Sequence, residues 1–318
     1  VGAYLVEQFA WWTLFAITLP LSAAVMAMVR RLIPDIHSHD KKSPFDTIGF
    51  VSLLIWLLAM MVWLSTLEID FTGGLLSSDG LLKIATLGLL SIGFLLSAMV
   101  WWAYERRQRH PLLNVRLFNN KTYLHSNIIS ISQTVGLMLC LLLLPVLIQD
   151  VMGESALWTG VVLMVATLIA SITTHYAGKM VDKQGARGIG IVGIAISALS
   201  TLMLAWCLYQ PTLWLLMLIM SVRGIGVGLA YLPTTTVGFS SLPKDAVTEG
   251  AALNNISRRI ISTIFITLST LYIGSRSAQL LAAGSSDGMA SAIQEILVVI
   301  AVILLFTIPS ACKLPRSP

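Results

Sequence analysis

From Gly188 to Val222 the chain runs for 35 residues without one charged side chain. A folded domain needs polar groups wherever it meets water, so no soluble surface can be built from such a stretch. It is also too long for one crossing of a bilayer, whose hydrocarbon takes about 20 apolar residues as a helix. Gln210-Pro211 divides it, because proline ends a helix and pushes the preceding residue out of the helical region. Comparable apolar windows lie at about 11–31, 47–67, 84–104, 124–148, 156–178, 188–209, 212–236, 253–274 and 291–311. The runs are continuous instead of alternating, which selects helices over barrel strands. The sequence therefore predicts an all-α polytopic membrane protein with about nine transmembrane helices. Only 11% of the residues are charged, under half of the ~25% usual for a soluble domain. A soluble enzyme, a disordered chain and a nucleic-acid-binding domain are excluded on that ground.

The net charge of +5 is an orientation signal. Seventeen of the 20 basic residues fall on the connections that follow the first, third, fifth, seventh and ninth windows, from Arg30 and Arg31 to Lys313 and Arg316. Such an excess marks the cytoplasmic side, so the C-terminus is expected in the cytoplasm and the protein in the plasma membrane. Nine spans then put the start of the chain outside, with no charged and cleavable leader to carry it there. An odd number of preceding spans resolves this, and the chain is read as the C-terminal part of a longer protein. Cys140, Cys207 and Cys312 show no paired spacing and read as small buried hydrophobes.

No Asp, Glu or Lys lies at the centre of a span, so neither an intramembrane hydrolase nor a proton carrier is visible in the chain. One ionisable group does lie at depth: Arg223, about eleven residues into its window. A charge there costs about 2.5–3.5 kcal/mol on insertion scales and must face a wet cavity or the bundle interior. It is read as a substrate-cavity residue; the plainer alternative is an anchor bonded to backbone carbonyls. Gly224, Gly226 and Gly228 follow it, with Tyr231 and Pro233 beyond. Each glycine removes a side chain, allowing close helix approach, and the proline frees a carbonyl, so a bendable, partly unwound span is expected. Gln133 and Asn127, six residues apart on one span, are further cavity candidates with only partly shared faces, as is Tyr231.

Two connections carry patterns. Gly178, Asp182, Lys183, Gly185 and Arg187 form G-x-x-x-D-K-x-G-x-R between two spans. The glycines suit a tight turn, and Asp182 is placed to cap a helix or pair with a basic neighbour, a contact that one packing can make and another break. Residues 105–118 alternate arginines with Leu112, Leu113, Val115, Leu117 and Phe118, as in a segment lying on the membrane surface.

Taken together these motifs resemble the major facilitator superfamily, whose inner-loop signature is matched by Gly178 to Arg187 with Met180-Val181 and Lys183 as variations. More narrowly, the chain is similar to the later part of the fourteen-span drug/proton antiporter family. The carriers are residues 1–20 (with Trp11, Phe15, Leu19 and Pro20 agreeing), 43–50, 110–123, 223–236 and 250–260. The resemblance implies the major facilitator fold lacking its first five spans. Residues 1–33 would hold the end of the fifth and the sixth span, 34–110 the inserted seventh and eighth, and 111–318 the C-terminal six-helix bundle.

The same resemblance implies a membrane transporter: a proton-coupled multidrug efflux antiporter working by alternating access, with small amphipathic drug-like substrates. The proton gradient would be the energy source, with no cofactor, and the proton-carrying carboxylate would lie upstream. A monomer among membrane lipids is expected, with a periplasmic adaptor left open and no nucleic-acid partner. Export of a specific metabolite, lipid or peptide is the alternative, as is a fragment inactive on its own.

Overall fold

In hydrocarbon every backbone N–H and C=O must be satisfied within its own segment, and a long apolar run achieves this as a helix. The computed structural model describes residues 12, 16, 18–32, 46–66, 78–108, 111–208, 212–284 and 288–315. Regular structure in these residues is helical throughout, and eight helices among them are long and apolar enough to cross a membrane. Of the nine expected windows, the first is the one not among the eight. Its described helix, α1 (Thr18–Leu32), has 15 residues; most of residues 11–17, and the Gln210-Pro211 break, lie outside the described residues.

Helices α2 (Thr47–Thr66) and α3 (Ser78–Arg107) pair through aromatic faces. Trp56 stacks on Trp101 with ring centroids 5.1 Å apart, and Trp63 stacks on Phe94 at the same distance. Trp63 Nε1 donates to Ser91 Oγ at 2.8 Å, so a tryptophan N–H at depth finds a partner on the other helix. Asp46 caps α2 by accepting the Gly49 N–H at 2.8 Å and also accepts the Tyr104 hydroxyl of α3 at 3.0 Å.

A 3₁₀ turn (Val115–Asn119) follows, and here the structure corrects the expectation of a surface segment. Leu113 and Val115 are buried with Trp101, Tyr123, Leu242 and Leu253, because a protein wall lies closer than the lipid. Glu105, at the end of α3, is wholly buried and accepts the Leu113 N–H at 3.2 Å.

The remaining long helices are α4 (Lys121–Pro145), α5 (Ala156–Gln184), α6 (Ala186–Cys207), α7 (Leu213–Ser240), α8 (Val247–Ala282) and α9 (Gly288–Phe306). They pack with α5, α7, α4 and α8 side by side in one row, and α6 and α9 behind it. After Pro145 the end of α4 widens into a π-helical turn (Val146–Val151), where the Met152 N–H reaches the Leu147 carbonyl at 3.0 Å. The short α10 (Ile308–Cys312) closes the chain against α6.

Three boundaries differ from the sequence reading. The expected connection 178–187 is not a loop: α5 continues to Gln184 and α6 begins at Ala186, leaving Gly185 as the whole turn. Gly185 has φ 77°, a conformation that costs other residues a Cβ clash, and its N–H returns to the Val181 carbonyl at 2.8 Å. α8 begins at Val247, before the expected window at 253–274, so Arg258 and Arg259, expected in the first turns of that window, lie deeper in the helix. That helix has 36 residues, or about 54 Å at 1.5 Å per residue, against roughly 30 Å of hydrocarbon. It has length to spare for a charged turn beyond the apolar layer.

The third difference is α7, which runs unbroken through its glycines and Pro233 instead of unwinding. The glycines make contacts on two sides. A Cβ on Gly224 would meet the Ala166 carbonyl of α5 at 2.5 Å, and one on Gly228 the Ala170 carbonyl at 2.7 Å. One on Gly226 would meet the Ser197 N of α6 at 2.6 Å. Residues two apart lie on opposite sides of a helix, so α7 is clasped by backbone from both flanks. After Pro233, Thr235 and Thr236 return their hydroxyls to the Tyr231 and Leu232 carbonyls at 2.7 and 3.0 Å, keeping the polar groups of the last turns bonded.

Candidate functional site

Arg223 lies on the rear of α7, away from the outer side of the helix row. It is 2% exposed, donates to the Thr201 hydroxyl of α6, and its Nη2 would lie 2.8 Å from a Cβ on Gly136 of α4. Ile300 and Leu304 of α9 border the same space. The absence of a side chain at Gly136 is what lets a guanidinium fit between four helices. Expected at the substrate cavity, Arg223 instead points into the bundle interior, where it ties α7 to α6. Gln133 precedes Gly136 by three residues and so shares its face of α4; it too is buried, with neither amide atom partnered among the described residues.

Asn127 belongs to a second polar seam, between α4 and α8. Its Nδ2 donates to the Tyr123 hydroxyl at 3.2 Å, and that hydroxyl donates to the Gly250 carbonyl of α8 at 2.8 Å. Both helices begin at the end of the bundle that carries the basic residues, and both run away from it. One turn further along each, Asn127 Oδ1 and Asn254 Nδ2 are buried without a partner among the described residues.

Tyr231 sits on the outer side of the row, half-buried, with the Arg258 guanidinium 5.3 Å from its ring centroid. Arg258 is not among the sequence candidates, because with Arg259 it counts there among the basic residues of the cytoplasmic side, in the first turns of the window at 253–274. The signal was its position four residues beyond Asn254, in helical register.

On α8 the residues Asn255, Arg259, Thr263, Thr270 and Gly274 are exposed and recur at helical spacing, with half-buried Thr267 completing the stripe. On α5 Thr167, Ser171 and His175 do the same. The threonine hydroxyls are satisfied by their own helices: Thr263 by the Arg259 carbonyl at 2.9 Å and Thr167 by the Leu163 carbonyl at 2.7 Å. Arg259 has no such recourse. A polar stripe of this kind at membrane depth belongs against water or protein, not lipid.

At the basic end a pocket of about 550 Å³ opens between α5 and α7. Thr174, Gly178 and Asp182 of α5 line it, with Gly185 and with Pro233, Thr236 and Ser240 of α7. The structure thus brings the turn around Gly185 and the proline of the glycine-rich span to one place, and leaves Asn127, Gln133 and Arg223 apart from it. Asp182 and Lys183 are exposed and Arg187 half-buried; neither Asp182 nor Arg187 has a hydrogen-bond or ion-pair partner among the described residues. Nearer the opposite end, Arg276 of α8 pairs with Glu295 of α9 at 3.1 Å.

A family model described as the Major Facilitator Superfamily matches residues 1–267. The chain is 24% identical over 270 residues to an uncharacterized MFS-type transporter, YhcA, of Bacillus subtilis, covering 85% of this chain and 49% of that one. It is 23% identical over 275 residues to the multidrug resistance protein B homolog of Mycobacterium tuberculosis, covering 86% and 49%. Against the multidrug export protein EmrB of Escherichia coli it is 23% identical over 286 residues, covering 85% and 51%. The chain therefore spans about half the length of the curated relatives it matches. With a match over most of its length and eight helices fit to cross a membrane, the chain belongs to the major facilitator superfamily and is a multi-pass membrane protein.

Proposed function

We propose that this chain is the C-terminal part of a proton-coupled multidrug efflux antiporter of the plasma membrane. Its basic end and C-terminus lie in the cytoplasm. The observation that carries the reading is the pair of polar stripes on α5 and α8, which flank α7 and α4. Such a face is stable in a membrane only if a second bundle or a water-filled cavity covers it, and a cavity between two rocking bundles is what alternating access requires. In this reading residues 34–110 are the inserted pair and 111–318 the second bundle. The facing bundle supplies the proton-carrying carboxylate, and the multidrug names of two of the relatives support amphipathic, drug-like substrates.

Within this scheme Tyr231 and Arg258 line the cavity, with Asn127 supplying a hydrogen bond from α4, while Gln133 stays with Arg223 inside the bundle. Gly178, Asp182, Lys183, Gly185 and Arg187 form the latch at the cytoplasmic mouth, with Asp182 free to engage the facing bundle in one state. The test is accumulation of a lipophilic fluorescent cation by efflux-deficient cells expressing the intact gene product, with and without a protonophore. Energy-dependent exclusion of the dye is expected, lowered by Tyr231→Ala at unchanged protein level. Asp182→Asn should shift cysteine accessibility between the two sides. Accumulation equal to that of empty cells for lipophilic cations, anions and neutral dyes alike would reject the reading.

A further inference from the structure

Away from the polar face, a cleft of about 350 Å³ lies between the α2–α3 pair and α8, within the size range of small-ligand pockets. Its walls are almost wholly apolar: Met99, Trp101 and Trp102 of α3, Phe118 of the 3₁₀ turn, and Ile256 and Ile260 of α8. Met99 is 68% and Trp102 40% exposed, so the cleft opens sideways to the hydrocarbon and not towards the helix interior. At its basic end the character changes. The Arg106 guanidinium lies 5.8 Å from the Trp102 ring centroid, and Arg116 donates through Nε and Nη2 to the Arg106 backbone carbonyl at 3.1 and 2.5 Å, which brings a second cation to the same end of α3. Both arginines are exposed, and neither has an ion-pair partner among the described residues.

We infer that this cleft is a discrete site for an anionic phospholipid, with one acyl chain between α3 and α8 and the phosphate at Arg106 and Arg116. An open apolar slot at membrane depth admits an acyl chain without desolvation cost. A tryptophan at the slot's end marks the headgroup level, and guanidinium forks match phosphate oxygens. Two uncompensated charges favour a lipid with net negative charge over a zwitterionic one. The inference does not depend on the transport reading, since Ile256 and Ile260 line the cleft from a different face of α8 than the one that carries Asn255 and Arg259.

The test is tryptophan fluorescence of the protein reconstituted in phosphatidylcholine vesicles. Increasing fractions of chain-brominated phosphatidylglycerol, or of chain-brominated phosphatidylcholine, are added. Half-quenching by phosphatidylglycerol is expected at a mole fraction about fivefold or more lower, given roughly that factor for each arginine near an anionic headgroup. The double variant R106Q/R116Q should bring the two lipids within twofold of each other. S257F, which fills the cleft from α8 and keeps both arginines, should remove quenching at low mole fraction, while K313Q, at the same end but away from the cleft, should keep the preference. Monodisperse elution and an unchanged melting temperature confirm that each variant is folded. Equal half-quenching by the two lipids in the wild type would mean ordinary boundary lipid and overturn the inference. So would a preference that survives R106Q/R116Q, or one that K313Q abolishes equally.

Discussion

The contact between α6 and α7 at Gly226 allows a sharp test of the packing argument. A methyl group added there lies 2.6 Å from the Ser197 N and 3.0 Å from the Gly193 carbonyl oxygen, about 0.5–1 Å inside the ~3.5 Å of an optimal non-bonded contact. These two obstacles are backbone, so turning away the third, the Ser197 Oγ at 2.6 Å, gives no relief, and the helices must part. A gap of 0.5–1 Å forfeits a quarter to a half of each contact's attraction along the seam, and overpacking of this kind costs about 1–3 kcal/mol. At about 2–4 °C per kcal/mol, Gly226→Ala should lower Tm by roughly 2–12 °C. The control is Gly93→Ala on the exposed side of α3, where nothing lies within 4 Å of the new Cβ. That change should be neutral or stabilising by up to about 1 kcal/mol, since alanine is the better helix former. The assay is the temperature at which each purified variant loses its monodisperse chromatographic peak. A Gly226→Ala midpoint within 1 °C of wild type would refute the argument, as would an equal loss in Gly93→Ala.

Two further changes separate roles. Tyr123→Phe keeps the ring contacts with Phe118 and Phe239 but strands the Gly250 carbonyl and the Asn127 amide. A loss of about 1–3 kcal/mol is expected in chemical denaturation, and no change would show that these groups find other partners at no cost. Under the proposed function, Arg223→Met in the intact gene product, which keeps length and removes charge, should retain more than half of the dye efflux per folded molecule. Arg223→Ala leaves a cavity and should lose about 2–5 kcal/mol of stability. Efflux abolished in a stable Arg223→Met protein would instead place the arginine in the transport step.

The crossing helices were legible because apolar runs of 18 or more residues leave no other structure open to the chain. Their ends were not. Apolar windows stop at the first charges, so the last turns of α5 and the first of α8 read as loops, although both helices carry their charges beyond the apolar layer. Arg223 stood out as the one ionisable group at depth, yet its orientation depends on Thr201 and Gly136, which come from two other helices and carry no mark of their own. Arg276 and Glu295 were both visible near one end, but 19 residues and a turn separate them. The polar stripe of α8 was readable in principle, since Asn255, Arg259, Thr263, Thr267, Thr270 and Gly274 recur at steps of three or four. The Arg258-Arg259 pair obscured it by counting among the basic residues of the cytoplasmic side.

The arrangement of α5, α6 and α7 has a consequence for how the protein is made. α5 and α6 are joined by Gly185 alone, yet they touch each other little; each packs instead on α7, which lies between them. During synthesis the first two enter the membrane before their shared partner exists, with Gly193 and Ser197 on one and Ala166 and Ala170 on the other uncovered. Their helical hairpin has to stay open as a V until the third helix is released and slots between the arms. A nascent chain arrested before about residue 213 should therefore remain accessible to crosslinking between these surfaces and the insertion machinery. That accessibility should disappear once α7 is complete, and Gly226→Ala should prolong it.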